Sequence, residues 1–187
     1  MSATQIVGVA DLRVVRAEKS MVTLITYALG SCIGLVAYDA VAHVGGLLHY
    51  MLPDSTLDSA KGASNPAMFA DLGIPLLLQK CCDLGAEKKR LMLYAAGGAE
   101  ALGVPNTFEI GKRNQLALRK LLWKAGVLLR SESLGGTLSR TIRLEVGTGR
   151  IGIRTGGGAE QWIPEMGRRT PPMVPVQHLD ESRRRES

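Results

Sequence analysis

The chain has 187 residues, 45% hydrophobic but only 4% aromatic, with a formal net charge of +6. That length fits one domain with an aliphatic core, and no apolar run approaches the ~20 residues of a membrane span. The first residues lack a basic segment followed by an apolar one, and the three cysteines cannot all pair, so a reducing compartment, the cytoplasm, is expected.

Residues 6–15 alternate apolar and polar side chains and predict one strand or two. Residues 21–28 and 33–38 are β-rich apolar runs on either side of Gly30-Ser31-Cys32. A turn is expected at 39–43 and a further strand at 46–52, stopped by Pro53-Asp54-Ser55. The first fifty or so residues therefore predict an antiparallel sheet. Residues 55–64, small and polar, predict a loop. Asn65-Pro66 predicts an N-cap with proline in the first helical position, opening a helix that carries Met68, Phe69, Leu72 and Leu76 to a C-cap at Gly85, with Pro75 as a kink or a second start. Residues 90–96 read as a buried strand ending at Gly97-Gly98. Asn114 is expected to cap a helix that turns Leu116, Leu118, Leu121, Leu122 and Ala125 inward until Gly126. Three strands follow at 127–132, 140–146 and 150–154, the last two joined as a hairpin by Gly147-Thr148-Gly149. The pattern stops after Gly156-Gly157-Gly158. Residues 1–158 are thus expected to form the domain and 159–187, rich in proline and arginine, a flexible tail.

The basic excess sits in Lys88-Lys89-Arg90 and in Arg168, Arg169 and Arg183 to Arg185. No aromatic residues are interleaved with it and no nucleic-acid motif accompanies it, so solvated surface is the reading and a nucleic-acid partner is not expected. Zinc is not expected either. Cys32, His43, His49, Cys81 and Cys82 show no ligand spacing, and adjacent cysteines chelate one ion poorly. No cofactor motif is present.

The chemistry concentrates in Thr26-Tyr27-Ala28-Leu29-Gly30-Ser31-Cys32 and in the later Gly46-Leu47-Leu48-His49-Tyr50. A cysteine attacks as its thiolate, and a histidine brought beside it can remove the proton at neutral pH. Read from residue type alone, Cys32 is a small buried hydrophobe, His49 a core histidine whose flanks Leu48 and Tyr50 face the other way, and Thr26 an ordinary strand residue.

Leu29-Gly30-Ser31-Cys32-Ile33-Gly34-Leu35 and His49-Tyr50-Met51-Leu52-Pro53 resemble the CheD family, the chemoreceptor glutamine deamidases of bacterial chemotaxis. Gly97-Gly98-Ala99, Ile110-Gly111-Lys112-Arg113-Asn114 and Gly135-Gly136 to Arg140-Thr141 extend the resemblance over residues 5–155. It implies an α/β (α+β) sandwich, mostly antiparallel with two or three packed helices, similar to the deamidase domain of cytotoxic necrotizing factor toxins. It implies Cys32 as nucleophile, His49 as base and Thr26 as the group orienting His49, with the backbone at Gly30 and Ser31 supporting an oxyanion. The implied reaction is hydrolysis of a receptor glutamine to glutamate and ammonia through a thioester. The implied partners are cytoplasmic helices of chemoreceptors and a CheC-type phosphatase. The chain departs from the family at Thr137-Leu138-Ser139, where an asparagine and an aromatic residue are expected. That departure motivates an alternative, a non-catalytic binding module for the phosphatase or the receptors.

Overall fold

A computed structural model describes residues 3–17, 21–100 and 109–163. The expected tail from 164 onward lies outside the described residues. Two five-stranded sheets stack face to face, with helices covering the far side of one of them. The first sheet contains β1 (Ala3–Ile6), β3 (Val22–Leu29), β8 (Arg140–Glu145), β9 (Arg150–Thr155) and β10 (Gln161–Ile163), in the order β1-β3-β8-β9-β10. The second contains β2 (Asp11–Arg16), β4 (Ile33–Asp39), β5 (Val44–Tyr50), β6 (Met92–Gly97) and β7 (Leu129–Leu134), in the order β2-β5-β4-β6-β7. Among the strands of the described residues only the β1/β3 and β6/β7 pairings are parallel, so the α+β sandwich, mostly antiparallel, is the observed architecture. The helices are α1 (Ser59–Ser64), α2 (Ala70–Asp83) and α3 (Ile110–Ala125).

Strand alternation divides the core. On β5, Leu48 and Tyr50 join Ile74, Leu77, Leu118 and Leu122 in the layer under the helices. Leu47 instead joins Leu24, Val36, Ile142, Leu144 and Ile151 between the sheets. The middle sheet is therefore apolar on both faces, and every residue of β4 and β5 is buried. Gly45 and Gly46 let both layers close on β5. A Cβ at Gly45 would stand 2.7 Å from Leu144 Cδ2, and one at Gly46 would stand 2.6 Å from Leu77 Cδ1.

Several sequence expectations change. The first strands do not form one sheet, because the chain crosses from the outer sheet to the middle one at Gly30-Ser31-Cys32, so β3 and β4 are not paired. Residues 55–64 are not a loop. Asp54 accepts from Thr56 N–H and starts a short 3-10 turn, and Asp58 accepts from Lys61 N–H and caps α1. Pro66 opens only a 3-10 turn. Phe69 stays extended and buried in a bridge to Leu52, and α2 begins after it. Pro75 sits on the exposed side of a continuous α2. Leu116 is 67% exposed, because the buried face of α3 runs through Gly111, Asn114, Leu118 and Leu122. β10 lies beyond the glycine run and pairs with β9. There Glu160 holds Arg143 through both oxygens at 2.8 Å, and Trp162 lies against Arg143 and Arg150.

The β4–β5 turn is fixed by Asp39, whose side chain is fully buried. Burial alone would raise its pKa. The Arg90 guanidinium and the N–H groups of Glu87, Ala42 and Val41 outweigh that and hold the carboxyl below its ordinary range. Asp39→Ala strands these donors and should cost about 3 kcal/mol, read as a lower urea midpoint with an unchanged m-value. A wild-type midpoint would show that the turn holds without it.

Candidate active site

The site forms where β3 ends and β4 begins. Thr26 pairs with Ile142, yet Leu29 pairs with Arg140, so β3 carries one extra residue in a β-bulge. Ala28 sits in that bulge at φ +56°, a left-handed conformation that strains a residue with a Cβ. Pairing resumes at Leu29 after the bulge, and the bent chain then turns towards the second sheet, with Cys32 as the last residue before β4.

Gly34 is paired with His49 and Ile33 with Tyr50. Cys32 therefore enters one step beyond, diagonal to His49 and on the same face of the sheet. It is half-buried and packs against the inter-sheet cluster. His49 is 1% exposed and points across the gap to the outer sheet, where Thr26 Oγ1 lies 2.7 Å from His49 Nδ1. Leu48 and Tyr50 point the other way, as alternation predicts. The other imidazole nitrogen, Nε2, is buried and has no hydrogen-bond partner among the described residues.

Burial pushes the His49 pKa down to about 4. Burial likewise pushes the Cys32 thiol up, partly offset by its own backbone N–H. The resting site is thus a neutral thiol near a neutral imidazole, not a standing ion pair. The unfolded histidine binds a proton below pH ~6.5, while the folded one resists until about 4. Stability contributed by neutral His49 is complete above pH ~6.5 and declines by about 3 kcal/mol as pH falls through that window. Urea melts across the same range should show the decline, and Cys32→Ala should leave it in place. A melt insensitive to pH there would contradict the buried neutral imidazole.

The Gly30-Ser31-Cys32 turn is held by three successive carbonyls. Gly30 O accepts from Ala99 N–H at 2.8 Å, Cys32 O from Gly98 N–H at 2.9 Å, and Ser31 O from Asn114 Nδ2 at 2.9 Å. Gly30 N–H is itself occupied by Ala28 O at 2.9 Å, so Gly30 supports the turn without being a free donor. Ser31 is exposed. Gly97, at φ +114°, passes so close that a Cβ there would lie 2.2 Å from Cys32 O.

Asn114 does not cap α3. The helix begins at Ile110, and Glu100 Oε1 accepts from Lys112 N–H at 3.0 Å near its start. Asn114 is instead fully buried one turn in, its Nδ2 shared between Ser31 O and Met51 O. Its polarity inside an otherwise apolar helix face was the available signal, and a capping role absorbed it. The remaining candidates lie elsewhere. His43 is exposed in the β4–β5 turn. Cys81 is buried in the helix layer, its pKa pushed up to about 12 chiefly by burial, and Cys82 is half-buried beside it. Among the described residues no three His, Cys, Asp or Glu side chains gather as a metal site, and no helix is long and apolar enough to cross a membrane.

The family model for CheD, described as chemotactic sensory transduction, matches residues 51–155. A protein of Solibacter usitatus named "Probable chemoreceptor glutamine deamidase CheD" is 57% identical over 159 residues, covering 85% of this chain and 93% of its own. A relative in Syntrophus aciditrophicus, named "Probable chemoreceptor glutamine deamidase CheD 1", is 48% identical over 82% of this chain and 94% of its own. Another in Syntrophotalea carbinolica, bearing the same name as the first, is 41% identical over 84% and 96%. A family model matching residues 51–155 and relatives 41–57% identical over more than four fifths of the chain show that the chain belongs to the CheD family.

Proposed function

We propose that this chain is a protein-glutamine deamidase that converts chemoreceptor glutamine side chains to glutamate in chemotaxis adaptation. The observation that carries the reading is the buried Thr26–His49 hydrogen bond at 2.7 Å, with His49 Nε2 left unpaired. A neutral imidazole that donates Nδ1–H to Thr26 Oγ1 keeps its lone pair on Nε2, the state a general base needs.

The steps then balance. His49 Nε2 takes the Cys32 proton as sulfur attacks the carboxamide carbon, and the carbonyl π electrons move onto oxygen. Backbone N–H groups at Ser31 and Cys32 face that oxyanion. It collapses, the C–N bond breaks, and nitrogen leaves as ammonia with the proton from Nε2. Water attacks the thioester, giving its proton to Nε2. The second oxyanion collapses with loss of sulfur, which recovers its proton and releases glutamate. Because neutral partners start the cycle, the proton moves during attack rather than before it. A neutral threonine hydroxyl orients the ring without strongly stabilising imidazolium, consistent with a thiol nucleophile, which is easier to deprotonate than a serine hydroxyl.

The resemblance supports cytoplasmic receptor helices as substrate, the cytoplasm as location and a CheC-type phosphatase as a second partner. Hydroxylamine tests the thioester. Added to enzyme turning over a chemoreceptor cytoplasmic fragment, it should divert part of the product to a hydroxamate about 16 Da heavier than the glutamine. Glutamate alone at saturating hydroxylamine would mean direct attack by water.

A further inference from the structure

We propose that Asn114 is a positioning residue that builds the oxyanion site by fixing the peptide between Ser31 and Cys32. A trans peptide points its C=O and N–H in opposite directions. Asn114 Nδ2 holds Ser31 O at 2.9 Å from inside the protein. The Cys32 N–H of the same peptide is thereby aimed outward, on the side of the sulfur whose pKa it lowers. Ala99 N–H treats the preceding peptide in the same way, holding Gly30 O at 2.8 Å and turning Ser31 N–H outward. Among the described residues neither Ser31 N–H nor Cys32 N–H donates to a backbone carbonyl.

The second proton of the Asn114 amide goes to Met51 O at 2.8 Å, two residues after His49. One side chain therefore ties the nucleophile turn to the end of the strand bearing the base. Its placement is firm. Asn114 is 0% exposed, and its own carbonyl accepts from Tyr50 Oη at 3.1 Å. Its Oδ1 has no partner among the described residues, while both amide protons are used. A buried amide that leaves its acceptor unpaired in order to donate twice is placed for donation. Aspartate at the same position has the same shape but at most one proton to donate, so it cannot serve both Ser31 O and Met51 O.

Two reactions of Cys32 separate this role from a purely structural one. Acylation by p-nitrophenyl acetate passes through a tetrahedral oxyanion, whereas alkylation by iodoacetamide does not. Both rates are read at the Cys32 peptide by mass spectrometry of the full chain. Asn114→Ala and Asn114→Asp should lower the acylation rate about 10²-fold while changing alkylation less than about threefold. Asn114→Asp keeps the side-chain volume, so it tests the idea if the alanine variant fails to fold. Equal losses in both rates, or none in either, would overturn the proposal. The proposal rests on the deamidase reading for its biological meaning, but neither reagent involves a receptor. Failure of the receptor to be deamidated would therefore sink that reading and leave this test standing.

Discussion

His49→Ala should lower turnover of a chemoreceptor fragment about 10³-fold, with the loss in kcat rather than KM. The ring lies between the sheets with one nitrogen on Thr26 and the other unpaired, so its removal takes away the only proton carrier the mechanism uses. The same substitution should flatten the dependence of stability on pH. Wild type should lose about 3 kcal/mol between pH ~6.5 and 4 because burial holds the His49 pKa down, and the alanine variant has no such group there to titrate. Thr26→Ala should be milder, since the imidazole keeps its burial and loses only its orienting partner. A His49→Ala enzyme with near-native kcat would remove His49 from the chemistry. One that kept the pH dependence would assign that dependence to another group.

Gly97→Ala should damage both folding and catalysis. At φ +114° an L-residue is strained before any contact is counted. The added Cβ would also meet Cys32 O at 2.2 Å and Leu29 Cβ at 3.2 Å. Neither neighbour is a flexible side-chain end, so the nucleophile turn itself must shift. We expect a cost of about 3 kcal/mol or more and a Tm lower by roughly 6–12 °C for a domain of this size. Deamidation should fall even where the protein remains folded, because Cys32 moves with its carbonyl. Thermal melts and turnover on the same preparation check both parts. Wild-type values for each would mean that the turn has slack the structure does not show.

Much of this was legible from the chain, for identifiable reasons. Alternation placed His49 opposite Leu48 and Tyr50, and β-rich runs bounded by glycine located β3 to β6. The sandwich came from the family resemblance, but its division of strands did not, because local pattern does not record that the chain changes layer at Gly30-Ser31-Cys32. The bulge at Ala28 was likewise hidden, since alanine carries no sign of a left-handed backbone. Asp54 and Asp58 could have announced the short helices at 55–64, but small polar residues with few apolar anchors gave no period to follow. Cys32, His49 and Thr26 stood out only through the family motif, because each has a common structural use in a strand. Asn114 was visible and misassigned. An asparagine near a helix start is usually a cap, and only the tertiary structure shows its amide reaching Ser31 and Met51 from inside the helix.

Cys32-dependent hydrolysis of a protein glutamine is read by intact mass spectrometry. A chemoreceptor cytoplasmic fragment is incubated with wild-type protein or with Cys32→Ala, whose partly buried side chain should be removable without loss of the fold. A gain of about 1 Da per modified site, the change from amide to acid, is expected with wild type only. The same gain with Cys32→Ala, or no gain with wild type while the fragment still binds, would contradict it, the second result pointing to a binding module.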